Sequence, residues 1–255
     1  MTNHRIAYCD PIEHGPLIEE PAGLKNPRTG LVYPMRNGIP VLLPEGAVEG
    51  PNARYQRLYD RMAPLYNLAT SLYAKWKSGA DALRRKNYLD RLELQGATTI
   101  LEISVGTGSN WPHLNRGLEF YGLDLSAGML AQCRRRATHL GLQFRLCQGL
   151  AEHLPFPSSA FDCVFHVGGI NFFTDPAAAL REMVRVAKPG TKLLVVDETE
   201  ELAKKHENDW IGGAFFKNRP RKIAPPVDLL PPDVQDVAVD EIWNRELFVL
   251  TFRKL

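Results

Sequence analysis

The sequence predicts an α/β protein. Its centre is a doubly wound, mostly parallel seven-stranded sheet with an antiparallel C-terminal hairpin strand, and a small β-rich appendage precedes it. Three observations carry that expectation. Between Thr98 and Glu198, short apolar runs alternate with helical segments, as in a parallel sheet covered by helices on both faces. The stretch ILEISVGTGSN, Ile100 to Asn110, leads one apolar run into an acid and then into a loop of small residues. Near the end, VAVDEIW and ELFVLTF are β runs separated only by Asn244-Arg245, so they form a hairpin and bring an antiparallel strand into the sheet.

Residues 1–50 are rich in Pro and Gly, with β-like pieces at Leu31 to Tyr33 and Ile39 to Leu43. Asn37-Gly38 is a strong hairpin-turn signal. This appendage is too small for much of a core of its own, so it is expected to pack on the main domain, residues 51–255. That domain begins with helices over 51–95. Tyr55, Leu58, Tyr59, Met62, Leu65, Tyr66, Leu72, Tyr73 and Trp76 fall mainly on three- and four-residue steps, and Pro64 is expected to break or kink the helix. A second amphipathic segment, with Leu83, Tyr88, Leu89 and Leu92, stops at Gly96. TTILEI, LEFYGLD, LQFRLCQ, FDCVFHV and TKLLVVDE then read as five strands. Ser126 caps the helix after the second. Asp175-Pro176 opens the helix after the fourth, which is expected to end at KPG with Gly190 as its left-handed cap. The segment from about Gly212 to Pro232 is Pro-rich and basic, and reads as a long loop.

Composition narrows the function. Hydrophobic residues make up 44% and charged residues 24% of the 255, a soluble globular profile, and the net charge of +2 argues for neither a nucleic acid nor a membrane partner. Cys9, Cys133, Cys147 and Cys163 form no C-x-x-C pair, so no zinc knuckle or dithiol motif is read. The isolated thiols, the lack of a secretory apolar segment and the lack of a membrane-length apolar run lead us to expect a cytoplasmic protein.

The small-residue loop is the chemical centre. Such loops let a backbone approach a ligand closely and hold it against the open end of a helix. Asp124, at the tip of the next strand, lies 22 residues past Glu102 and is placed to bind the ribose hydroxyls of a nucleoside cofactor. A nicotinamide dinucleotide would require G-x-G-x-x-G, but counting from Gly106 puts the third position at Trp111.

With these residues the chain, over roughly Tyr55 to Leu255, resembles the class I S-adenosylmethionine (SAM)-dependent methyltransferases, whose fold is Rossmann-like. Glu102-Ile103-Ser104-Val105-Gly106-Thr107-Gly108 looks like their acid-x-G-x-G-x-G loop, and YGLDLSAGML like their second-strand motif. LAEHLPFPSSAFDCVF resembles the adenine-side segment with the fourth strand, and REMVRVAKPGTKLLVVDE resembles their next helix, turn and fifth strand. YDRMAPLYN, Tyr59 to Asn67, is similar to the lid helix of the ubiquinone/menaquinone-biosynthesis (methyltransferase type 11) branch. The resemblance implies SAM as cofactor and S-adenosylhomocysteine as product. It implies contacts from Tyr59, Tyr66, Glu102, Ser104, Val105, Gly106, Thr107, Gly108, Asn110, Asp124, Leu125, Met129, Gly149, Leu150, Ala151 and His166. Two departures stand out: Ser104 replaces the usual first glycine, and Leu150 stands where that branch often has an acid gripping the adenine amino group.

YPMRNGIPVLLPEGA resembles the end of a zinc-ribbon-like module found ahead of some methyltransferase domains, including rRNA guanine methyltransferases. Its usual cysteines are missing, and Cys9, His4 and His14 do not make a four-coordinate site, so no metal is expected. His166 is the candidate general base, or else shapes the pocket through its backbone; Asn171 is the candidate substrate residue. The basic run KNRPRK, Lys217 to Lys222, is either an attractor for an anionic substrate or RNA, or a solvated loop; RRR, Arg134 to Arg136, reads as an exposed helix face. The leading expectation is a small-molecule methyltransferase. An RNA methyltransferase and a non-catalytic methyltransferase-like scaffold are the alternatives.

Overall fold

The computed structural model describes residues 5–76, 80–209, 213, 216, 217, 219 and 221–255, with the side chains of 64–80 not described. The appendage contributes β1 (Ile18–Glu20), β2 (Gly23–Lys25), β3 (Val32–Arg36) and β4 (Ile39–Leu42). Helices α1 (Gly50–Trp76) and α2 (Ala80–Leu89) follow. Then come β5 (Thr99–Ile103), β6 (Glu119–Asp124), α3 (Ala127–His139), β7 (Gln143–Gly149), β8 (Cys163–Val167), α4 (Pro176–Val186), β9 (Lys192–Glu198), α5 (Glu200–His206), β10 (Val234–Ile242) and β11 (Leu247–Lys254).

These strands form one sheet in the order β1-β2-β3-β4-β7-β6-β5-β8-β9-β11-β10. The seven strands expected are all present, with β5 to β9 parallel and β11 antiparallel to both β9 and β10. The sheet nevertheless has eleven strands, because the appendage does more than pack against the domain. Its β4 pairs in parallel with β7, Val41 opposite Gln148 and Leu42 opposite Gly149. An unpaired sheet edge offers a row of backbone donors and acceptors. Side chains bolt the joint as well, with Ile6 N–H donating to Tyr121 Oη (2.9 Å) and Tyr8 Oη–H to the Leu146 carbonyl (3.1 Å). Asn37 and Gly38, at φ 50° and 73°, make the β3–β4 turn.

Buried apolar residues lie on both faces of the sheet. Leu101, Ile103, Leu123 and Val195 face a core shared with α4 and Tyr55 of α1, while Ile100, Phe120, Leu146 and Val196 face one shared with α2 and α3. α4 buries Ala179, Leu180, Met183, Val184 and Val186, spaced along one stripe, and burial of each larger side chain contributes about 1.5–3 kcal/mol. The predicted caps form: the Ser126 Oγ accepts from Met129 N–H, and the Asp175 side chain from Ala178 N–H.

Three local expectations are corrected. The glycine loop does not open an α-helix; a single 3₁₀ turn, Trp111–His113, follows it, because Pro112 and the short span to β6 leave no room for more. α1 runs through Pro64 without a break, held from below by α3, where Gly128 leaves room for Ala63 and its N–H donates to Asp60 Oδ1 (3.1 Å). The segment after β9 begins as helix α5, capped by Thr199, and the expected long loop contains a 3₁₀ turn at Val227–Leu229. Among the described residues, no helix is long and apolar enough to cross a membrane.

Candidate cofactor site

The parallel order reverses at β5: β6 and β7 lie to one side, β8 and β9 to the other. Open α/β sheets take ligands in the crevice beyond the carboxyl ends of the strands at such a point. Glu102, Asp124 and His166 all sit at these ends, at 2%, 9% and 0% exposure.

Asp124 is bound to the glycine loop it faces. Its Oδ2 accepts from Gly106 N–H (2.7 Å) and its Oδ1 from Ser126 N–H (2.8 Å). Burial pushes its carboxyl up to about 6, against the pull of those two hydrogen bonds. Each oxygen retains a lone pair for a further donor. Glu102 points to the other face of the loop. Its Oε1 accepts from Asn110 Nδ2–H (2.5 Å), and its Oε2 is buried with no hydrogen-bond partner. Burial pushes Glu102 up to about 8, with Asn110, Arg85 and the Trp111 indole easing the charge. A buried polar oxygen without a partner is costly.

The loop itself is folded for close approach. Ser104 has φ 54°, Gly106 54° and Gly108 68°. A Cβ on Gly108 would stand 2.8 Å from Cys133 Sγ, so glycine is required there. Serine at φ 54° costs roughly 1–2 kcal/mol relative to an unstrained residue. Val105 N–H bonds back to the Leu123 carbonyl (3.0 Å), and Thr107 is buried with its hydroxyl 2.9 Å from that of Ser109.

Around this centre, distant residues act as clamps that the local sequence did not reveal. Arg136 Nη1 donates to the Thr107 carbonyl (2.8 Å) and Ser109 Oγ (2.6 Å), and Arg134 donates to the Asn37 carbonyl; Arg135 alone of the RRR run is exposed. The reading of that run as an exposed helix face is therefore corrected for two of its three residues. From α2, Arg85 Nη1–H and Tyr88 Oη–H both donate to Asn110 Oδ1 (2.8 Å each), fixing the amide so that its Nδ2 points at Glu102. From α1, Asp60 Oδ1 accepts from Ser126 Oγ–H (2.5 Å), and Gln56 Nε2–H donates to the Leu125 carbonyl (3.2 Å), which Gln148 also binds (2.9 Å). Asn52 Nδ2–H donates to Glu152 Oε1 (2.9 Å), tying α1 to the segment after β7. Periodicity can mark these side chains as outward-facing, but their partners lie 22 to 100 residues away.

The remaining expected contacts divide. Met129, Leu150 and Ala151 are buried, Gly149 is opposite Leu42 of β4, and Tyr59 is half-buried against the larger core. The side chain of Tyr66 lies outside the described residues. His166 Nδ1 is 3.0 Å from the Ile103 carbonyl; a carbonyl only accepts, so Nδ1 carries the proton and Nε2 is a bare acceptor. Nε2 is buried without a partner, and burial lowers the imidazole from its usual value, keeping it neutral. Asn171 is occupied within the protein: Nδ2–H donates to Asp197 Oδ2 (3.1 Å), and Oδ1 accepts from Ala224 N–H (3.3 Å). Asp197, at 1% exposure, also accepts from Gly169 N–H (2.8 Å). Burial pushes that carboxyl up, but the hydrogen bonds outweigh it and hold it below its usual range.

In the appendage, Asp10 Oδ1 accepts from Ile12 and Glu13 N–H, and Asn26 Oδ1 from Arg28 and Thr29 N–H. Asn26 Nδ2–H donates to Asp10 Oδ2 (2.7 Å), so this buried pair clasps the two loops together. Among the described residues, no group of three or more His, Cys, Asp or Glu is arranged to hold a metal ion.

A switch-point loop flanked by two strand-end carboxylates, on a parallel sheet with an antiparallel hairpin strand, defines a Rossmann-like architecture with a crevice suited to a nucleoside ligand. Comparison with known proteins specifies it further. Residues 101–195 match the methyltransferase domain family, and the sequence on either side lies outside that match. The chain is 35% identical over 143 residues to the demethylmenaquinone methyltransferase of Thermus thermophilus, covering 55% of this chain and 64% of that one. The first curated relatives are matched over less than two thirds of their own length. Solved structures agree in fold. A SAM-dependent methyltransferase of Thermotoga maritima superposes with a TM-score of 0.58 at 22% identity, covering 78% of this chain and 99% of that one. The [4+2]-cyclase SpnF gives 0.62 at 19%, covering 78% and 95%.

Proposed function

We propose that this protein transfers a methyl group from SAM to a small-molecule acceptor at the crevice beyond β5, β6 and β8. The observation that supports this most is the pair of buried strand-end carboxylates, Asp124 bound to Gly106 N–H and Glu102 with an unpartnered Oε2. In this reading Asp124 accepts the ribose hydroxyls, Glu102 Oε2 accepts from the cationic amino group, and Gly106 and Gly108 let the backbone approach. Met129, Leu150 and Ala151 hold the adenine by apolar contact in place of the missing acid at 150. When bound, the cofactor supplies an electrophilic methyl on a sulfonium.

The chain's own part is orientation, exclusion of water and, where the acceptor is a phenol, enol or acidic carbon, proton removal. Alignment alone is worth about 7–11 kcal/mol of a barrier. His166 Nε2 is the bare, neutral acceptor at the end of β8 that suits the proton-removing role. Asn171 then acts through Asp197, shaping the acceptor mouth rather than touching the acceptor. Residues 1–50 serve as a sheet-extending appendage and 51–95 as the lid helices of a domain over 51–255. The four unpaired cysteines fit a cytoplasmic enzyme.

Calorimetric titration with SAM and S-adenosylhomocysteine, with NADH as control, tests the reading. Binding of the adenosyl compounds alone supports it. Failure to bind either one overturns it in favour of a methyltransferase-like scaffold.

A further inference from the structure

The strand order gives a nucleoside held at this site a direction. With one end at Glu102 on β5 and its ribose at Asp124 on β6, its base falls beyond β7, the next strand outward. Neighbouring strands stand about 4.8 Å apart, so a single strand spacing carries the base from the ribose to the end of β7. There Gly149 is followed by Leu150 and Ala151, and Met129 stands in the first turn of α3. Leu150 and Met129 are 3% and 2% exposed, yet neither belongs to the apolar core on either side of the sheet.

The polar groups bordering Leu150 are committed elsewhere. Its carbonyl accepts from His153 N–H (3.1 Å), and Gln148 Nε2–H donates to the Leu125 carbonyl (2.9 Å). Glu152 Oε1 accepts from Asn52 Nδ2–H (2.9 Å) and Asp175 N–H (3.3 Å), which turns that carboxyl toward α1 and the start of α4. On α1, Asp60 Oδ1 accepts from Ser126 Oγ–H (2.5 Å) and Gly128 N–H (3.1 Å). A purine 6-amino group is a pair of N–H donors, and a site reads it by setting an acceptor against it. An acceptor buried there rejects a base that lacks the amino group, because the acceptor is then left unpaired; an apolar wall carries no such penalty.

We infer that Leu150 sets the base selectivity of the cofactor site and leaves the 6-position of the purine unread, so that a cofactor analogue without the 6-amino group binds at least as well as the adenosyl compound. The inference rests on the methyl-transfer reading and adds to it the specificity of its cofactor site. An amino group pressed against leucine gives up water without gaining a partner, so the amino-free purine gains relative to adenine. A side-chain acceptor at position 150 reverses that order.

The test is calorimetric titration with S-adenosylhomocysteine and with its 6-deamino analogue, in which purine replaces adenine and every ring nitrogen is kept. Wild-type protein is compared with Leu150→Asp and Leu150→Asn. The expected wild-type result is that the analogue binds within about fivefold of S-adenosylhomocysteine, or more tightly. A variant whose melting temperature shows it folded should favour S-adenosylhomocysteine by more than about fivefold. A wild-type preference for S-adenosylhomocysteine beyond about fivefold overturns the inference, and that comparison needs no variant. Equal affinities in a folded variant also overturn it, because they put the 6-position away from residue 150. Failure of the cofactor reading looks different: the wild-type protein then binds neither compound, and both proposals fall together.

Discussion

Replacing Glu102 with Gln separates the charge at the centre of the site from its shape. The carboxyl is buried and pushed up to about 8, whereas in the unfolded chain it titrates near its ordinary 4.5. Between those values the unfolded chain gives up the proton and the folded one keeps it. The stabilisation is therefore full below pH 4.5 and is lost as the pH rises toward 8. Each pH unit inside that window removes about 1.4 kcal/mol, so the step from pH 5.5 to 7.5 removes about 3 kcal/mol. For a chain of this size that is roughly 6–12 °C in melting temperature. Glutamine keeps the acceptor that Asn110 needs but has no charge to lose. Its amide hydrogens at the Oε2 position lack an acceptor, at a cost of about 1–3 kcal/mol at every pH. Ligand-free Glu102→Gln protein should accordingly melt below wild type at pH 5.5. Its melting temperature should then fall less steeply by about that interval up to pH 7.5, as read by differential scanning fluorimetry. Parallel pH profiles for the two proteins would refute the reasoning. Cofactor binding brings a positive charge to Oε2, so saturating SAM should flatten the wild-type profile toward that of the variant.

Asp124→Ala removes both the anchor of Gly106 and the ribose acceptor; calorimetry should read at least a tenfold weaker SAM affinity. His166→Gln should hold SAM within about threefold and lower turnover 10²–10⁴-fold on an acceptor that must lose a proton, while an unchanged rate would exclude the base role. Ser104→Gly relieves a left-handed serine at the expense of unfolded-chain entropy, and should raise the melting temperature by about 1–3 °C without weakening SAM binding. Gly122→Ala would set a Cβ 2.8 Å from Leu146 Cδ2 and 3.0 Å from both Trp111 and Val105, costing about 1–3 kcal/mol in a thermal melt.

The central sheet was legible because its signals are local. TTILEI carries Glu102 one residue before its end and LEFYGLD ends in Asp124, and those acids do lie at the ends of β5 and β6. Ser126 and Asp175 each decide a helix start within a few residues of themselves, so their roles survive translation into structure; Gly190 does not cap α4, which ends at Val186 with Ala187 extended, and its φ of 77° serves the turn that follows. The appendage was legible only in part. Asn37-Gly38 announces its own turn, but nothing within Ile39 to Leu42 states that its partner will be β7, more than a hundred residues later. Pairing of a short strand with a sheet edge is set by which edge is open, and that depends on the whole strand order.

The same distinction separates the two strand-end carboxylates proposed to face the ligand from the residues that hold them. Glu102 and Asp124 are recognisable by spacing, yet spacing says nothing of their protonation. Burial raises both carboxyls, and burial is a property of what the rest of the chain packs around them. Arg136 looked like one more surface charge because its neighbours are arginines; it is set apart by one turn of α3 that brings its guanidinium to Thr107 and Ser109. Asn110, expected as a cofactor contact, is also the hub through which Arg85 and Tyr88 of α2 reach Glu102. Ser104 is the sharpest case. Its small size was visible in the sequence, and size was the wrong variable: φ 54° is the quantity that favours glycine, and only the backbone path between β5 and Gly106 imposes it. A serine retained at that strained position, beside a Glu102 oxygen left without a partner, leaves two separate costs within one loop. A cationic ligand group at Oε2 would relieve the second, which ties the stability of the empty loop to its affinity for the cofactor.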